Sequence, residues 1–221
     1  MQKNNIYIVI PSYNEEKHIG AVLQEFSKSG YPIVFVDDGS RDDTFKIAQK
    51  YKILALKHKV NLGKGAALKT GCEAAFSRGA DAIVMMDSDG QHKVSDLGKF
   101  IEALDKGCDI VFGSRNLSHG VPLVRYLGNK TASVLVSYLF GIYISDLLCG
   151  YRAFTKKAYK KIIWDSKGYG VETEMVVNSA KAKLSHCEVG VETVYLDTVK
   201  GVTILDAVNI LGDVIKWKIT R

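Results

Sequence analysis

Ala82-Ile83-Val84-Met85-Met86-Asp87-Ser88-Asp89-Gly90-Gln91-His92 is the stretch on which the reading of this chain turns. Its first five residues are apolar without alternation, the pattern of a strand covered on both faces. Two carboxylates one residue apart follow at once. Such neighbours repel each other, and a divalent cation that prefers hard oxygen ligands, Mg²⁺ or Mn²⁺, relieves the repulsion. A cation in that position normally holds phosphate as well. An isolated Asp-x-Asp is common, however, and reads equally well as a polar loop capping the next helix. Its meaning depends on what stands on either side.

Upstream and downstream the same grammar repeats. Ile6–Ile10, Ile33–Val36, Ile53–Leu56 and Asp109–Phe112 are further strand-like runs. Between them apolar residues recur at helical spacing, as in Ile19, Val22, Leu23 and Phe26, or Leu97, Ile101 and Leu104. Strands alternating with helices predict a mostly parallel α/β sheet, which binds ligands beyond the carboxyl ends of its strands. Each predicted strand discharges a polar or Gly-rich loop there: Pro11-Ser12-Tyr13-Asn14-Glu15, Asp37-Asp38-Gly39-Ser40, Asn61-Leu62-Gly63-Lys64-Gly65, Asp87-Ser88-Asp89 and Gly113-Ser114-Arg115. Such a succession predicts one composite site.

The second half is less regular. Residues 122–144 read as a helix, Asp146–Arg152 as a turn leading into a helix over Lys156–Ile163, Gly168–Gly170 as a flexible loop and Glu172–Lys181 as a helix. Glu188–Leu196 reads as a strand. The tail, Val202–Lys218, is amphipathic, with Ile204, Val208, Leu211 and Ile215 expected on one face. With no repeat, linker or low-complexity tract, residues 1–221 are expected to form a single domain.

Composition narrows the classes. Net charge is +6, and no dense Lys/Arg block with interleaved aromatics is present, so nucleic acid is not an expected partner. No apolar run approaches the roughly 18–20 residues that span a bilayer. Met1–Asn5 runs straight into a strand, leaving no room for a signal peptide. Cys72, Cys108, Cys149 and Cys187 are far apart with no Cys-x-x-Cys pair, which argues against zinc and for a reducing, cytoplasmic compartment.

The motif series Pro-Ser-Tyr-Asn-Glu-Glu (11–16), Asp-Asp-Gly-Ser (37–40), Asn-x-Gly-Lys-Gly (61–65), Asp-x-Asp-Gly-Gln-His (87–92) and Gly-Ser-Arg (113–115) resembles family 2 glycosyltransferases of the GT-A fold. The resemblance covers nearly the whole chain. It is strongest to the polyprenyl-phosphate (dolichyl-phosphate) mannosyl- and glucosyltransferases. It implies a Rossmann-like nucleotide-sugar half over 1–115 and an acceptor half over 116–221. It further implies that Pro11, Tyr13, Glu15, Val36 and Asp38 line base and ribose, with Asp87, Ser88 and Asp89 on the rest of the sugar nucleotide. Tyr13 offers a stacking face, and carboxylates accept from base N–H and ribose hydroxyls. The alternative for Asp37 and Asp38 is helix capping before Thr44.

By the same resemblance Asp89 and Gln91 hold the metal, with Asp87 sharing in it. The cation neutralises charge on the departing diphosphate. His92 is expected to orient the loop rather than ligate. The glycines of 61–65 are expected to let the chain pass close to the sugar nucleotide. Lys64 either faces the donor or is solvated. No Walker A spacing is present.

Arg115, Arg125 and Asn129 match positions that hold the acceptor phosphate in the polyprenyl-phosphate enzymes. Arg125 and Asn129 stand four apart on the predicted helix, hence on one face. A surface salt bridge is the plainer role for Arg125. A phosphate monoester is already ionised near neutrality and attacks without a protein base, whereas a sugar hydroxyl needs one, for which Asp146 is the candidate. Asp89, Arg115 and Asp146 are thus expected to carry the chemistry, an inverting displacement. Of Glu172 and Glu174, one is expected to face the site and the other to sit at the helix N-terminus.

The expected substrates are a GDP- or UDP-hexose and a polyprenyl phosphate. A sugar hydroxyl on a glycan or glycolipid is the alternative acceptor, and a non-catalytic sugar-nucleotide-binding subunit of a membrane complex the alternative of another class. A nucleotidyltransferase lacks its N-terminal Gly-rich signature here. A lipid acceptor implies peripheral contact with the cytoplasmic membrane face, by the tail with Lys216, Trp217, Lys218 and Arg221, by the stretch 134–144, or through a separate anchor subunit. The alternative is that both segments pack on the sheet. The resembling enzymes carry a basic loop before the last helix, where this chain has only Lys200-Gly201.

Overall fold

The computed structural model describes residues 5–115, 123–168, 170–192 and 204–220, without the side chains of 123–125, 204–208 and 211. The strands are β1 (Ile6–Ser12), β2 (Ile33–Asp37), β3 (Leu54–Lys57), β4 (Ala82–Met85), β5 (Ile110–Arg115), β6 (Arg152–Thr155) and β7 (His186–Val191). The helices are α1 (Ile19–Ser27), α2 (Thr44–Ala48), α3 (Lys64–Ser77), α4 (Leu97–Asp105), α5 (Leu123–Phe140), α6 (Lys156–Ile162), α7 (Val171–Lys181) and α8 (Ile204–Thr220). The strands form one sheet in the order β3-β2-β1-β4-β6-β5-β7. All neighbours are parallel except at β6, which runs antiparallel to both β4 and β5.

Side-chain alternation along β1 sorts the core into two layers. Ile6, Ile8 and Ile10 point to one face, where Leu23 and Phe26 of α1 and Phe100 of α4 cover them. Val9 points to the other, with Val34 and Val36 of β2, under Leu68 and Cys72 of α3, Val176 of α7 and Trp217 of α8. Helices on both faces are why the strands read as continuous apolar runs.

The order also creates a crevice. β1 pairs with β2 as far as Ser12↔Asp37, but its strand register with β4 ends at Val9↔Met85. Beyond that point β1 and β4 part, at the place where the winding of the sheet reverses direction. Ligands of doubly wound sheets bind in such crevices.

Three expectations are corrected. Arg152–Thr155 is a strand and not the end of a turn. Four residues headed by a buried arginine carry no strand signal, and only the pairing of Ala153 with both Val84 and Val111 makes them one. The buried face of α8 is Ile210, Val214 and Trp217, while Ile215 is exposed. Steps of four and three keep the first set within a narrow arc, and Ile215 stands 100° past Val214. Finally, Cys108, two residues before β5, and Cys187 of β7 form a disulfide, their Cα atoms 6.1 Å apart. Sequence distance concealed this contact, so the thiol count no longer argues for a reducing compartment. The expected strand beyond Glu192 and the pair Lys200-Gly201 lie outside the described residues, as do Tyr169 and Arg221.

Candidate active site

The ends of β1, β2 and β3 enclose a cleft of about 350 Å³, lined by Tyr13, Ser40, Arg41, Lys57, Lys59 and Asn61 among others. Tyr13 is exposed there, its ring available for stacking. Asn14, with φ 53°, turns the chain after it, and its backbone N–H donates to Ser40 Oγ at 2.9 Å. The Glu15 amide donates to Thr44 Oγ1 at 2.8 Å, tying the β1 loop to α2. Pro11 is buried at the end of β1.

Two residues expected at the base are placed otherwise. Val36 is fully enclosed in the core, so its side chain does not reach the cleft. Asp38 is buried with both oxygens committed. Oδ1 accepts from Leu62 N at 2.9 Å and meets His58 Nδ1 at 2.7 Å, while Oδ2 accepts from Gly63 N at 2.7 Å. Backbone amides of a tight loop need acceptors, and a strand-end carboxylate supplies them. Neither Asp37 nor Asp38 caps α2; Asp42 accepts from Thr44 N instead, at 3.0 Å.

At the end of β4 the acids gather. Lys64 places its ammonium 2.5 Å from Asp87 Oδ1 and 2.6 Å from Glu172 Oε1. Lys64 therefore faces the site. Burial pushes its pKa down, but these two carboxylates outweigh burial and raise it. Burial pushes the Asp87 carboxyl up, and Lys64, His92 and Arg115 more than reverse this, to about 2. Asp89 is held up at about 6, first by burial and then by the charge of Asp87, with a smaller push from Glu15. Asp89 Oδ1 accepts from Gln91 N at 3.0 Å, closing the loop. Ser88 is buried beside them. Among the described residues no three His, Cys, Asp or Glu side chains converge into a ready cage. The donor set is nevertheless hard oxygen throughout, and the mutual repulsion of its acids is what Mg²⁺ or Mn²⁺ would relieve.

His92 stacks on Tyr151 with ring centroids 4.8 Å apart, and its Nδ1 accepts from Asp87 N at 3.1 Å. Nδ1 is committed to the loop, the orienting role expected of it. Burial lowers its pKa to about 4, so the ring is neutral.

The glycines around Lys64 serve another purpose than expected. A Cβ on Gly63 would strike the Lys167 carbonyl, and one on Gly65 the Ser166 carbonyl. Gly65 N donates to Lys167 O at 2.8 Å, and Trp164 Nε1 to Gly65 O at 2.9 Å. The glycines admit the 164–167 segment, which packs across the start of α3. Glu174 Oε2 holds that segment, accepting from Asp165 N, Ser166 N and Ser166 Oγ at 3.1, 2.8 and 2.6 Å. Of the two α7 acids, then, Glu172 faces the site through Lys64 and Glu174 anchors a loop.

At the end of β5, Arg115 donates from Nε to Asp146 Oδ2 at 2.6 Å and from Nη2 to Oδ1 at 2.9 Å. Asn129 Nδ2 donates to the same Oδ1 at 3.1 Å. The Asp146 side chain is 1% exposed and that of Arg115 22%. A carboxylate so engaged is a clamp on a guanidinium and not a poised base, which corrects its expected role. Asn129 faces inward to this clamp and is buried. Arg125 lies on α5, its side chain outside the described residues. The strand edge adds Glu188, whose Oε1 accepts from Ser145 N at 2.7 Å and Ser145 Oγ at 2.8 Å.

Sequence reasoning missed Arg152, which is fully buried between β4 and β5 and donates only to carbonyls among its described hydrogen bonds. It also missed His58. Neither left a local signal, because the partners are tertiary.

A mostly parallel sheet with its polar residues at one set of strand ends, sandwiched by helices, is the GT-A type of α/β fold. Glucosyl-3-phosphoglycerate synthase of Mycobacterium tuberculosis, solved with Mn²⁺, uridine diphosphate and phosphoglyceric acid, superposes with a TM-score of 0.78 over 99% of this chain and 80% of that one, at 18% identity. The model of glycosyl transferase family 2 matches residues 7–163, and the chain belongs to that family. A UDP-N-acetylglucosamine–dolichyl-phosphate N-acetylglucosaminyltransferase of Methanococcus voltae is 35% identical over 87% of this chain and 86% of its own length. The polyprenol monophosphomannose synthase of Mycolicibacterium smegmatis is 30% identical over 82% of this chain and 74% of its own. An uncharacterised protein of Methanocaldococcus jannaschii is 36% identical over 99% and 94%.

Proposed function

We propose that this glycosyltransferase moves a sugar from a nucleotide sugar to the phosphate of a polyprenyl phosphate, with inversion and with a divalent cation. The observation that carries the acceptor assignment is the Asp146 clamp. Both its oxygens are engaged by Arg115 and Asn129, so among the described residues this point offers an oriented guanidinium, and Asp146 is not a free base. That suits a pre-ionised phosphate nucleophile and not a sugar hydroxyl. The names of relatives from Methanococcus voltae and Mycolicibacterium smegmatis support the same acceptor class.

The reading divides one domain into a donor half, 1–115, and an acceptor half from 116 onward. The cleft at Tyr13 takes the base, with Lys57, Lys59 and Arg41 lending positive potential. Asp87, Asp89 and Gln91 hold Mg²⁺ or Mn²⁺, which supplies Lewis-acid neutralisation of the leaving diphosphate. Lys64 sets a further positive charge beside that leaving group and is itself held by Glu172. Arg115 receives the acceptor phosphate through fork geometry, in which Lys would not substitute.

Peripheral contact with the membrane is part of the proposal. Among the described residues no helix is long and apolar enough to cross a membrane. Yet α5 carries an outward stripe of Leu127, Val134 and Tyr138, the last 86% exposed, and α8 exposes Ile215 and Ile219 on either side of Lys216 and Lys218. An apolar outer face rimmed by lysines suits an anionic bilayer.

The test is incorporation of label. The pure protein is incubated with Mn²⁺, labelled GDP- and UDP-sugars including UDP-N-acetylglucosamine, and a short polyprenyl phosphate. An organic-extractable, mild-acid-labile product is expected. Transfer only to a glycan hydroxyl would sink the acceptor assignment.

A further inference from the structure

Arg152 lies in the middle of the sheet, paired across to Met85 of β4 and Phe112 of β5, and is fully enclosed. An arginine there is costly, and the usual remedy is a carboxylate partner. Its described hydrogen bonds go to carbonyls instead: Nε to Cys149 O at 2.9 Å, Nη2 to Leu147 O at 2.5 Å and Nη1 to Glu172 O at 2.5 Å. Its guanidinium also lies 5.1 Å from the Phe112 ring centroid. A buried charge kept without a direct ion pair is poor stabilisation. What it offers is direction, since a planar fork addresses several acceptors at once.

Each carbonyl belongs to a segment that reaches the site. Leu147 follows Asp146, the clamp on Arg115. Cys149 precedes Gly150, which lies so close to Asp87 that a Cβ there would strike the carboxylate. Glu172 pairs with Lys64, which pairs with Asp87. One group thus holds the metal-side and phosphate-side segments from beneath. We propose that Arg152 is a positioning residue that sets the Asp87–Lys64–Glu172 cluster and the Arg115–Asp146 clamp at their reactive separation. This deepens the proposed function and rests on it for the role of Arg115.

Loss of Arg152 leaves each half its own contacts but loosens their relation. A misplacement of order 1 Å costs about a hundredfold in turnover. Arg152→Gln is therefore expected to lower kcat about a hundredfold, and Arg152→Lys about tenfold, with the KM for each substrate within about threefold. A lower melting temperature with kcat per folded molecule unchanged would reduce Arg152 to a structural role and overturn the proposal. So would a loss confined to one KM.

Hydrogen exchange gives a second readout that needs no acceptor. In the wild type, Mn²⁺ with UDP or GDP is expected to slow exchange at 171–174 and also at 145–149. In Arg152→Lys only the first is expected to remain. Equal slowing in both proteins, or none at 145–149 in the wild type, overturns the coupling. Failure of the wild type to glycosylate lipid phosphate strikes the acceptor assignment instead, and exchange still decides Arg152.

Discussion

The proposed donor and acceptor sides of the site are held by different forces. On the donor side three carboxylates accept from backbone amides close at hand, while Asp87 is paired with Lys64. Asp37 accepts from Ser40 N, Asp38 from Leu62 N and Gly63 N, and Asp89 from Gln91 N. On the acceptor side the same task falls to side-chain charge: Arg115 on Asp146, Asn129 on Asp146, and Arg152 on three carbonyls. Amide-anchored carboxylates keep their place when a neighbour is changed. A buried charge pair does not, because removing one partner strands the other.

The sharpest probe of the contrast is therefore a matched pair of substitutions. Asp89→Ala removes a proposed metal ligand but leaves its loop short of one hydrogen bond only. Turnover is expected to fall about a thousandfold, the worth of several kcal/mol of leaving-group stabilisation, with the urea midpoint changed little. Metal-dependent turnover that survives would refute the ligand assignment. Asp146→Ala should do the reverse in proportion, costing about 3–5 kcal/mol in urea unfolding because the largely buried Arg115 guanidinium loses the carboxylate that clamps it. A cost below about 1 kcal/mol, the range of exposed pairs, would show that the clamp is solvated.

The same contrast explains what could be read in advance. The first five strands and their polar ends were legible because each is a local pattern, an apolar run followed by loop residues. In the acceptor half the helices were legible in the same way, but β6 and the ties between elements were not. β6 is a strand only because Ala153 lies between Val84 and Val111, and its first residue is a charge. The tie of Glu172 to Lys64 joins residues of α7 and α3 far apart in the chain, and no spacing rule reaches that far. Motif matching also brought Val36 and Asp38 to the cleft, where the structure uses them for core and loop. A motif records which residue stands at a position and is silent on which atoms it presents.

A third probe uses pH. His92 is neutral and buried, surrounded by Asp87, Asp146, Lys64 and Arg115 and stacked on Tyr151. Burial is the main reason its pKa drops from 6.5 to about 4. The unfolded chain therefore binds a proton between those values that the folded chain refuses. The linked stability is fully present above pH 6.5 and is lost as pH falls toward 4, at most about 3 kcal/mol. His92→Asn should flatten this acid limb in urea titrations between pH 4 and 7. Parallel curves for the two proteins would place the acid sensitivity elsewhere, and the carboxylates of the donor side would be the next candidates.

The smallest effect on folding should accompany a clear effect on location. Both halves expose apolar side chains, but differently. On the donor side Val60 borders the cleft at Tyr13, whereas on the acceptor side Leu127, Val134, Tyr138, Ile215 and Ile219 stand on outer helix faces. Ile219 is 79% exposed while Trp217, two residues away, is 6% exposed, so α8 presents apolar residues both inward and outward. A helix needs only one apolar face to pack on its own core. Serine at both 215 and 219 should thus change stability by less than about 0.5 kcal/mol. It should nevertheless release the protein from anionic vesicles in sedimentation, because the area lost is exposed area that a bilayer would bury. Val60→Ser should leave vesicle binding as it was. If the α8 double variant sediments like the wild type, the outer face is not the membrane face, and a second copy of the chain becomes the partner to seek by light scattering.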